Sequence, residues 1–248
     1  MGNEADDSQT MVRLLMHNNR FDVAGLIAVS SCHQYAGKND ANPIRNDIQP
    51  TMITERIEAY AKVLPNLRQH ADGWASADKL LAVVGGGPPE YGMLGVGRRR
   101  STTGSELIVA ALTNDDPRPL YVCINAGANT LAQAIVDLDE RLDPAEFARV
   151  LHKLRVYDDA GQDDAGAWIA STYPEIAYMR SQLQVFNFMN NDGPVTWNPT
   201  ADYPGQGQHT WAHEHVMTGH GPLGALYPRR EKYLRPEIDH TIAGGGPS

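Results

Sequence analysis

The sequence predicts an α/β protein with an open, mainly parallel sheet flanked by helices. Apolar runs of the kind that form strands buried on both faces occur at residues 21–31 and 118–127, and a shorter run occurs at 154–158. Polar loops and segments with helical periodicity follow these runs. Strand, loop and helix in repetition are the pattern of βαβ units. Because 248 residues are enough for one sizeable core, we expect a single domain over residues 1–248.

The elements of the first half follow in this order. A helix is expected around residues 11–15, where apolar residues have helical spacing after Asp6, Asp7 and Ser8, which offer N-cap side chains. The run FDVAGLIAVSS (21–31) predicts the first strand. Further helices are expected at 51–70 and 76–84. The stretch GGGPPEYGMLGVG (85–97) predicts a Gly/Pro loop with neither helix nor strand, and its glycines fit no phosphate-binding motif.

The second half repeats the pattern twice. Helical spacing at 103–113 precedes the strand RPLYVCINAG (118–127), which leads directly into a helix near residues 128–138. The next helix begins with Asp143 as cap and Pro144 in the first turn, and LRVYD then predicts the third strand before a helix that starts near residue 162. From about residue 185 to 248 the periodicity is lost, so we expect an irregular lid or substrate-covering segment there.

Composition excludes several classes of function. The net charge of −9 argues against a nucleic-acid partner. No run of about 18 apolar residues is present, so no membrane span is expected. The sequence shows no basic segment followed by an apolar segment of the signal-peptide type, so no signal peptide is expected in it. The basic run at 98–100 is typical of a solvated loop. Cys32 and Cys123 lie in or beside strand-like runs, so we expect two buried free thiols. Such thiols do not indicate in which cellular compartment the protein resides.

Three polar clusters lie at or beside predicted strand ends: GNEADD (2–7), GANT (127–130) and DDAGQDD (158–164). Ligands of open α/β sheets bind at the carboxyl ends of the strands, although helix capping alone would also explain each cluster. Paired carboxylates and a backbone carbonyl such as that of Thr130 are the oxygen ligands that calcium prefers. Calcium there would bind vicinal sugar hydroxyls and acidify a bound water, whose proton a carboxylate would accept.

Many motifs together carry a resemblance to a known family: GNEADD, FDVAGLIAVSS, PEYGMLGVG, GSELI, DDPRPLYV, GANTLAQA, RVY and GHGPLGALYP. In this order the chain resembles the nucleoside hydrolase-like domain of bacterial and fungal cellulose-binding proteins. The resemblance implies a nucleoside hydrolase-like fold and calcium-dependent hydrolysis of an N-glycosidic or related glycosyl bond. It also implies that Asp6 and Asp7 are catalytic and metal-binding and that the carbonyl of Thr130 binds the metal. The substrate-binding residues that it implies are Asn3, Glu4, Asn129, Asp163, Asp164 and His220.

The sequence departs from the pattern of this family at two places that concern the expected hydrolase activity. In similar proteins a strand that ends in Thr-Asp precedes the acidic cluster, and here the chain starts at Met1. The aspartate that resembles the last calcium ligand is replaced by Gly245 in GGGPS (244–248). We therefore expect a motif set that is truncated at both ends and an activity that is impaired. Resembling proteins are often exported.

Two alternative functions remain open. The first is a non-catalytic carbohydrate-binding protein whose partner is a polysaccharide. It would bind through an aromatic platform formed by Trp168, Trp197, Tyr203 and Trp211. A homo-oligomer is compatible with the sequence. Trp168 falls within a predicted helix, which favours a place in the core. A zinc hydrolase is the less favoured alternative, and it would use the late histidines His209, His213, His215 and His220.

Overall fold

The computed structural model describes residues 5–32, 48–181 and 213–227. The chain divides into two compact units. Unit 1 comprises residues 1–23, 51–82 and 185–248, and unit 2 comprises residues 24–50 and 83–184. In the described part of the chain, no helix is both long and apolar enough to span a membrane. The predicted lid over 185–248 lies outside the described residues except for 213–227.

Unit 1 is helical in its described residues. Its elements are α1 (Ala5–Leu15), a 3-10 turn (Asn18–Arg20), α2 (Pro50–Leu67), α3 (Ala77–Leu81), a π-helical turn (His213–Met217) and α8 (Gly221–Gly224). The prediction that Asp6 and Asp7 cap α1 is wrong, because the helix already begins at Ala5 and both residues lie in its first turn. An acidic first turn still favours the helix through its dipole.

The apolar stripes of α1 and α2 supply several of the buried residues of unit 1. Val12 and Leu15 of α1 and Ile57 of α2 are almost completely buried. Polar groups tie the same helices together. The guanidinium of Arg56 on α2 donates to Ser8 Oγ on α1 at 3.1 Å, and it is 3% exposed. The first turns of α1 are therefore anchored on a buried cation.

Unit 2 contains five strands among its described residues, and every strand pair is parallel. They are β1 (Leu26–Ala28), β2 (Val84–Gly86), β3 (Leu120–Ile124), β4 (Leu154–Asp159) and β5 (Ala177–Ser181). β1 pairs with β2, and β3, β4 and β5 form a second sheet in that order. The predicted parallel α/β architecture is confirmed.

Four helices of unit 2 follow the predicted order and pack on the sheets. They are α4 (Thr103–Thr113), α5 (Asn129–Arg141), α6 (Pro144–Leu151) and α7 (Ala165–Thr172). α4 contacts β1, β2 and α5, and α5 contacts α6 and α7. α5 supplies Leu131, Ile135 and Leu138 to the core, and the predicted Asp143 cap of α6 accepts from two backbone N–H groups. Trp168 packs edge-on against Tyr173 beside this core, as predicted.

The three-stranded sheet has one apolar face in the core and one face turned outward. Its alternation places Val122 and Val156 toward the core. On the opposite face Tyr121 is 74% exposed and Met179 is 61% exposed. Cys123 lies on this outer face and is exposed, so the prediction that it is a buried thiol is wrong. Cys123 is the fourth residue of β3, and like Tyr121, the second, it alternates away from the core.

Three details of the predicted elements are wrong. The first strand is three residues long rather than eleven, and Phe21 at the start of the predicted run is 59% exposed. The Gly/Pro stretch contains β2 at its start and a 3-10 turn at Gly92–Gly95, so it is not free of regular structure. β5 was not expected, because AYMRS is a largely exposed edge strand without an apolar run.

Candidate functional site

Four loops of unit 2 meet at the carboxyl ends of β1 to β4. We call the region formed by residues 29–32, 87–95, 125–128 and 160–164 the strand-end crevice. Hydrogen bonds join three of these loops directly. Gly127 N donates to Ser30 O at 2.9 Å, Cys32 N donates to Gln162 O at 3.0 Å, and Gln162 Nε2 donates to Asn125 O at 2.9 Å. The strand ends are thus bound to one another, as expected of a ligand-binding edge in an open α/β sheet.

Asp163 lies in the loop after β4, between the N-termini of two helices. Its Oδ2 accepts from Asn129 N of α5 at 3.1 Å, and its Oδ1 accepts from Ala165 N of α7 at 3.0 Å. Burial raises the pKa of Asp163, and the backbone N–H groups of Ala128, Asn129, Ala165 and Gly166 act in the opposite direction. The side chain is 6% exposed. Asp163 therefore serves both helices as a cap, and both of its oxygens are engaged by the protein.

Gly127 makes this arrangement possible. A Cβ at this position would lie 2.5 Å from Asp163 Oδ2 and 2.6 Å from Ser30 O. Both distances are shorter than a Cβ atom can approach another heavy atom to which it is not bonded. The glycine of the GANT motif is therefore required where the loops after β1, β3 and β4 approach one another.

Asn129, the first residue of α5, holds the loop that follows β2. It is fully buried, and its Nδ2 lies 2.8 Å from Glu90 O, 3.2 Å from Pro88 O and 3.0 Å from Ser30 Oγ. Ser30 Oγ itself donates to Glu90 O at 3.0 Å. The amide nitrogen of Asn129 thus fixes the backbone of the Gly/Pro loop. Its predicted role in substrate binding stays a prediction.

Asp164 holds the same loop from its other end. Its Oδ1 accepts from Met93 N at 2.9 Å, while the residue as a whole is exposed. Gly92 lies directly against this carboxylate with φ of 48°, and a Cβ at Gly92 would overlap Asp164 Oδ1. Asp164 is thus a loop anchor that also presents a carboxylate to the surface.

Tyr91 stands between these two anchoring points and was not among the predicted site residues. It is partly buried. Burial is the largest cause that raises the pKa of Tyr91, and electrostatic interactions with Asp163, Asp164 and Cys32 raise it further. Its ring therefore lies within the electrostatic influence of groups from two other strand-end loops, the one after β1 and the one after β4. An aromatic residue in a Gly/Pro-rich loop after a strand was the only sequence signal for it.

A second pair of residues, Asp158 and Tyr178, supports the loop after β4. Asp158, at the end of β4, is completely buried and accepts from Tyr178 Oη at 2.8 Å and from Gly161 N at 3.2 Å. Burial is the largest cause that raises the pKa of Tyr178, and the hydrogen bond to Asp158 adds to it. This pair fixes the turn that leads to Asp163 and Asp164.

Thr130 lies at the second position of α5 and is 3% exposed. Its Oγ1 lies 3.4 Å from Asn129 Oδ1. In an α-helix the carbonyls point along the axis toward the C-terminus, so the carbonyl of Thr130 is directed away from the N-terminal end of α5. A metal-binding role for this carbonyl stays a prediction.

The donor atoms of unit 2 do not fit a calcium ion by themselves. Calcium takes six to eight oxygen ligands, including free carboxylate oxygens. Both oxygens of Asp163 accept from backbone N–H groups, and Oδ1 of Asp164 accepts from Met93 N. Over residues 5–32, 48–181 and 213–227, no three His, Cys, Asp or Glu side chains are grouped as metal ligands. We therefore derive no catalytic step through calcium.

The remaining predicted residues lie outside the crevice loops or outside the described residues. Asp7 belongs to unit 1, in the first turn of α1. His220 is exposed, and its Nε2 lies 2.7 Å from Glu214 O. Outside the described residues, or with side chains that are not described, lie Asn3, Glu4, Asp6, Trp197, Tyr203, His209, Trp211, His213 and Gly245. Within unit 2, the structure brings together the predicted site residues Asn129, Thr130, Asp163 and Asp164.

Comparison with known proteins gives a family match and a structural match. The family model described as "Cellulose-binding Sde182, nucleoside hydrolase-like domain" matches residues 1–248. A solved structure of a nucleoside hydrolase-related hypothetical protein from Saccharophagus degradans, described as associated with carbohydrate metabolism, superposes with a TM-score of 0.75 at 32% identity. The alignment covers 93% of this chain and 49% of that one, so the chain spans about half the length of that relative. No curated protein matches.

Proposed function

Because this chain belongs to the family of the cellulose-binding Sde182 nucleoside hydrolase-like domain, we propose that it binds a sugar-containing molecule at the strand-end crevice without cleaving it. The ligand is a saccharide or a nucleoside-like glycoside. The similar protein from S. degradans is described as associated with carbohydrate metabolism, which supports a ligand of this class. The proposal keeps the location that was expected from the sequence and changes the role of the residues there.

The observation that carries the proposal is the engagement of Asp163. A general base needs a carboxylate oxygen within reach of the proton that it removes. The two oxygens of Asp163 are instead occupied by the N-termini of α5 and α7. Asn129 is occupied in the same way by the loop after β2. Groups that are already satisfied by the protein build a rigid crevice, and rigidity favours binding because less freedom is lost when the ligand enters.

Calcium-dependent hydrolysis of an N-glycosidic or related bond is the second candidate. The similarity to a nucleoside hydrolase-related protein over 93% of the chain favours it. In this alternative Asp6 and Asp7 would be the catalytic and metal-binding residues, with the Thr130 carbonyl as a further ligand and Asn3, Glu4 and His220 near the substrate. Asp7 lies on a helix that the buried Arg56 anchors through Ser8, so a fixed position for this carboxylate is supported.

Ligand-dependent stabilisation tests the proposal. The full chain is unfolded thermally with inosine, ribose or cellotetraose, each with calcium chloride or with EGTA, and release of reducing sugar is measured in parallel. A ligand at about one hundred times its dissociation constant adds about 2.7 kcal/mol of stability. We expect stabilisation by at least one of these compounds that is equal with calcium and with EGTA, and no sugar release.

Two substitutions separate the candidates. Asp7→Asn removes a carboxylate of the catalytic alternative, and Glu58→Gln removes an exposed carboxylate of α2 as the matched control. Under the binding proposal both variants retain the stabilisation. Calcium-dependent sugar release that is lost in Asp7→Asn and kept in Glu58→Gln would reject the binding proposal in favour of hydrolysis. The absence of any stabilisation in the wild-type protein would reject sugar binding.

A further inference from the structure

We infer that Arg180 of β5 is a positioning residue for the strand-end crevice. Its guanidinium holds the turn formed by residues 160 and 161, which directly follows β4, and through this turn it places residues 162–164. We call the hydrogen bonds from Arg180 to this turn the Arg180 clamp. The inference rests on the proposed function, because the consequence of the clamp is measured as ligand binding. It requires no contact between Arg180 and the ligand.

The turn that the clamp holds has an unusual backbone conformation. Ala160 has a φ of 66° and Gly161 has a φ of 64°, so two consecutive residues lie in the left-handed region. This conformation is unfavourable for Ala160 because its Cβ crowds the backbone, whereas glycine adopts it freely. Without further contacts Ala160 would leave this conformation. The surrounding structure must therefore hold the turn.

All four backbone polar groups of the turn are bonded to β4 or β5. Ala160 N donates to Ser181 O at 3.0 Å, and Gly161 N donates to Asp158 Oδ1 at 3.2 Å. The two carbonyl oxygens accept from one nitrogen, Nη2 of Arg180, at 2.8 Å for Ala160 and at 3.2 Å for Gly161. A single guanidinium nitrogen thus bonds both residues of the turn.

The guanidinium of Arg180 also lies directly against Gly161. A Cβ at Gly161 would overlap this group, so a residue with a side chain does not fit beside the clamp. Arg180 follows Tyr178 by two positions in β5, which places both side chains on the same face of the sheet. Tyr178 donates to Asp158, which accepts from Gly161 N. Two positions of β5 therefore hold the turn, one directly and one through Asp158.

The residues that follow the turn contact each of the other three crevice loops. Cys32 N of the loop after β1 donates to Gln162 O at 3.0 Å, and Gln162 Nε2 donates to Asn125 O of the loop after β3 at 2.9 Å. Met93 N of the loop after β2 donates to Asp164 Oδ1 at 2.9 Å. A change of backbone direction at the turn would displace these bonds together. The clamp therefore maintains the common arrangement of the four loops.

The clamp depends on properties of arginine. A guanidinium is planar and presents its donors in a fixed fork, whereas the ammonium of lysine is a point charge on a flexible stem. The positive charge strengthens the hydrogen bonds to both carbonyl oxygens. When the clamp is removed, the turn opens in a larger fraction of the molecules. The apparent affinity for a ligand then falls in proportion to the fraction that remains closed.

Titration calorimetry with defined probes tests the inference. Inosine and cellotetraose are titrated into the full chain at a temperature at which thermal unfolding shows every variant to be folded. For whichever probe the wild type binds, we expect Arg180→Ala to weaken binding about tenfold, because about a tenth of the molecules would keep the turn closed. We expect a smaller loss in Arg180→Lys, which keeps the charge and a donor. Arg149→Ala removes an exposed arginine of α6 and is the matched control, with unchanged binding.

Glycine at position 160 separates the clamp from a general loss of stability. In the Arg180→Ala background we expect Ala160→Gly to restore the affinity by about threefold, because glycine adopts the left-handed conformation without the clamp. With Arg180 present, the same change should alter the affinity by less than about twofold. Since every variant is folded during the titration, a lower stability alone would not change the affinity.

Hydrogen exchange of the full chain without ligand tests the clamp independently of binding. We expect the amides of Ala160 and Gly161 to exchange about tenfold faster in Arg180→Ala than in the wild type. The reason is that their bonds to Ser181 O and Asp158 open together with the turn. The amide of Ile135, in the middle of α5, should exchange at the same rate in both proteins.

The outcomes separate this inference from the proposed function. If the wild type binds neither probe, the proposed function is rejected and the role of Arg180 in ligand binding with it. If the wild type binds a probe and Arg180→Ala binds it equally well, or if exchange at Ala160 and Gly161 is equal in both proteins, the inference is rejected and the proposed function stands. Affinity that is lost in Arg180→Ala and not restored by Ala160→Gly would overturn the positioning role in favour of direct contact between Arg180 and the ligand.

Discussion

Replacement of Asp163 by alanine is expected to lower the free energy of unfolding by about 3 kcal/mol. The carboxylate is 6% exposed and accepts from Asn129 N and Ala165 N, the first backbone donors of α5 and α7. Alanine removes both acceptors at once. A lost cap costs about 1 kcal/mol, and donors that stay buried without an acceptor add to the loss. Chemical denaturation of the full chain measures the difference.

The matched control for this prediction is Asp139→Ala. Asp139 is an exposed acid on α5, and its removal is expected to change the free energy of unfolding by no more than about 0.5 kcal/mol. Asp163→Asn keeps one acceptor oxygen and is expected to lie between the two. A loss below about 1 kcal/mol in Asp163→Ala would show that Asp163 is not the common cap of the two helices, and it would restore Asp163 as a candidate for direct ligand contact.

The helices of unit 2 were predictable because several local signals agree at each of them. For α6, Asp143 caps the first turn and Pro144 fits its first position. For α5, the spacing of Leu131, Ile135 and Leu138 marks the face that the core buries. Local signals of this kind need no knowledge of the rest of the chain.

β2 was not predictable because it carries no local signal of this kind. Its residues Gly85 and Gly86 carry no side chains, so no alternation of polar and apolar residues marks the strand. The glycines are explained only by tertiary contact. A Cβ at Gly85 would lie 3.0 Å from the backbone of Gly104, and one at Gly104 would lie 2.6 Å from Ile27 Cγ2. Close packing of α4 on β1 and β2 thus explains why glycines occupy this strand, although the sequence of the strand itself predicts a loop.

The sequence predicted that three polar clusters meet at the strand ends. Two of them, GANT and DDAGQDD, do meet within unit 2, and the roles predicted for their residues stay predictions. Polar clusters after strands indicate the carboxyl edge of a sheet, and Asn129, Asp163 and Asp164 do meet there. Whether such a group faces a ligand or a backbone N–H depends on loops that are distant in sequence. Asn129 and Glu90 are 39 residues apart, and no periodicity relates them. Tyr91 was missed because its position depends on those anchors.

The network around Asp137 fixes the segment that follows residues 87–95, the loop after β2. Asp137 of α5 is 1% exposed and accepts from Ser101 Oγ, Ser105 Oγ and Gln133 Nε2, each at 2.8 Å. Gln133 in turn holds Gly97 through both of its backbone groups. A buried carboxylate with three side-chain donors is satisfied only while all three remain in place.

Asp137→Ala is therefore expected to lower the free energy of unfolding by about 3 kcal/mol, because it leaves buried donors on Ser105 and Gln133 without this acceptor. We expect chemical denaturation to show that loss. We also expect calorimetry to show weaker binding of whichever test compound stabilises the wild type, since Gln133 no longer fixes Gly97 next to the loop after β2. A double-mutant cycle with Ser105→Ala should give a coupling of about 1 kcal/mol. Additive effects of the two substitutions would mean that the hydroxyl and the carboxylate act independently. Loss of stability with unchanged binding would mean instead that Asn129 and Asp164 alone hold the loop after β2 in the conformation that the ligand needs.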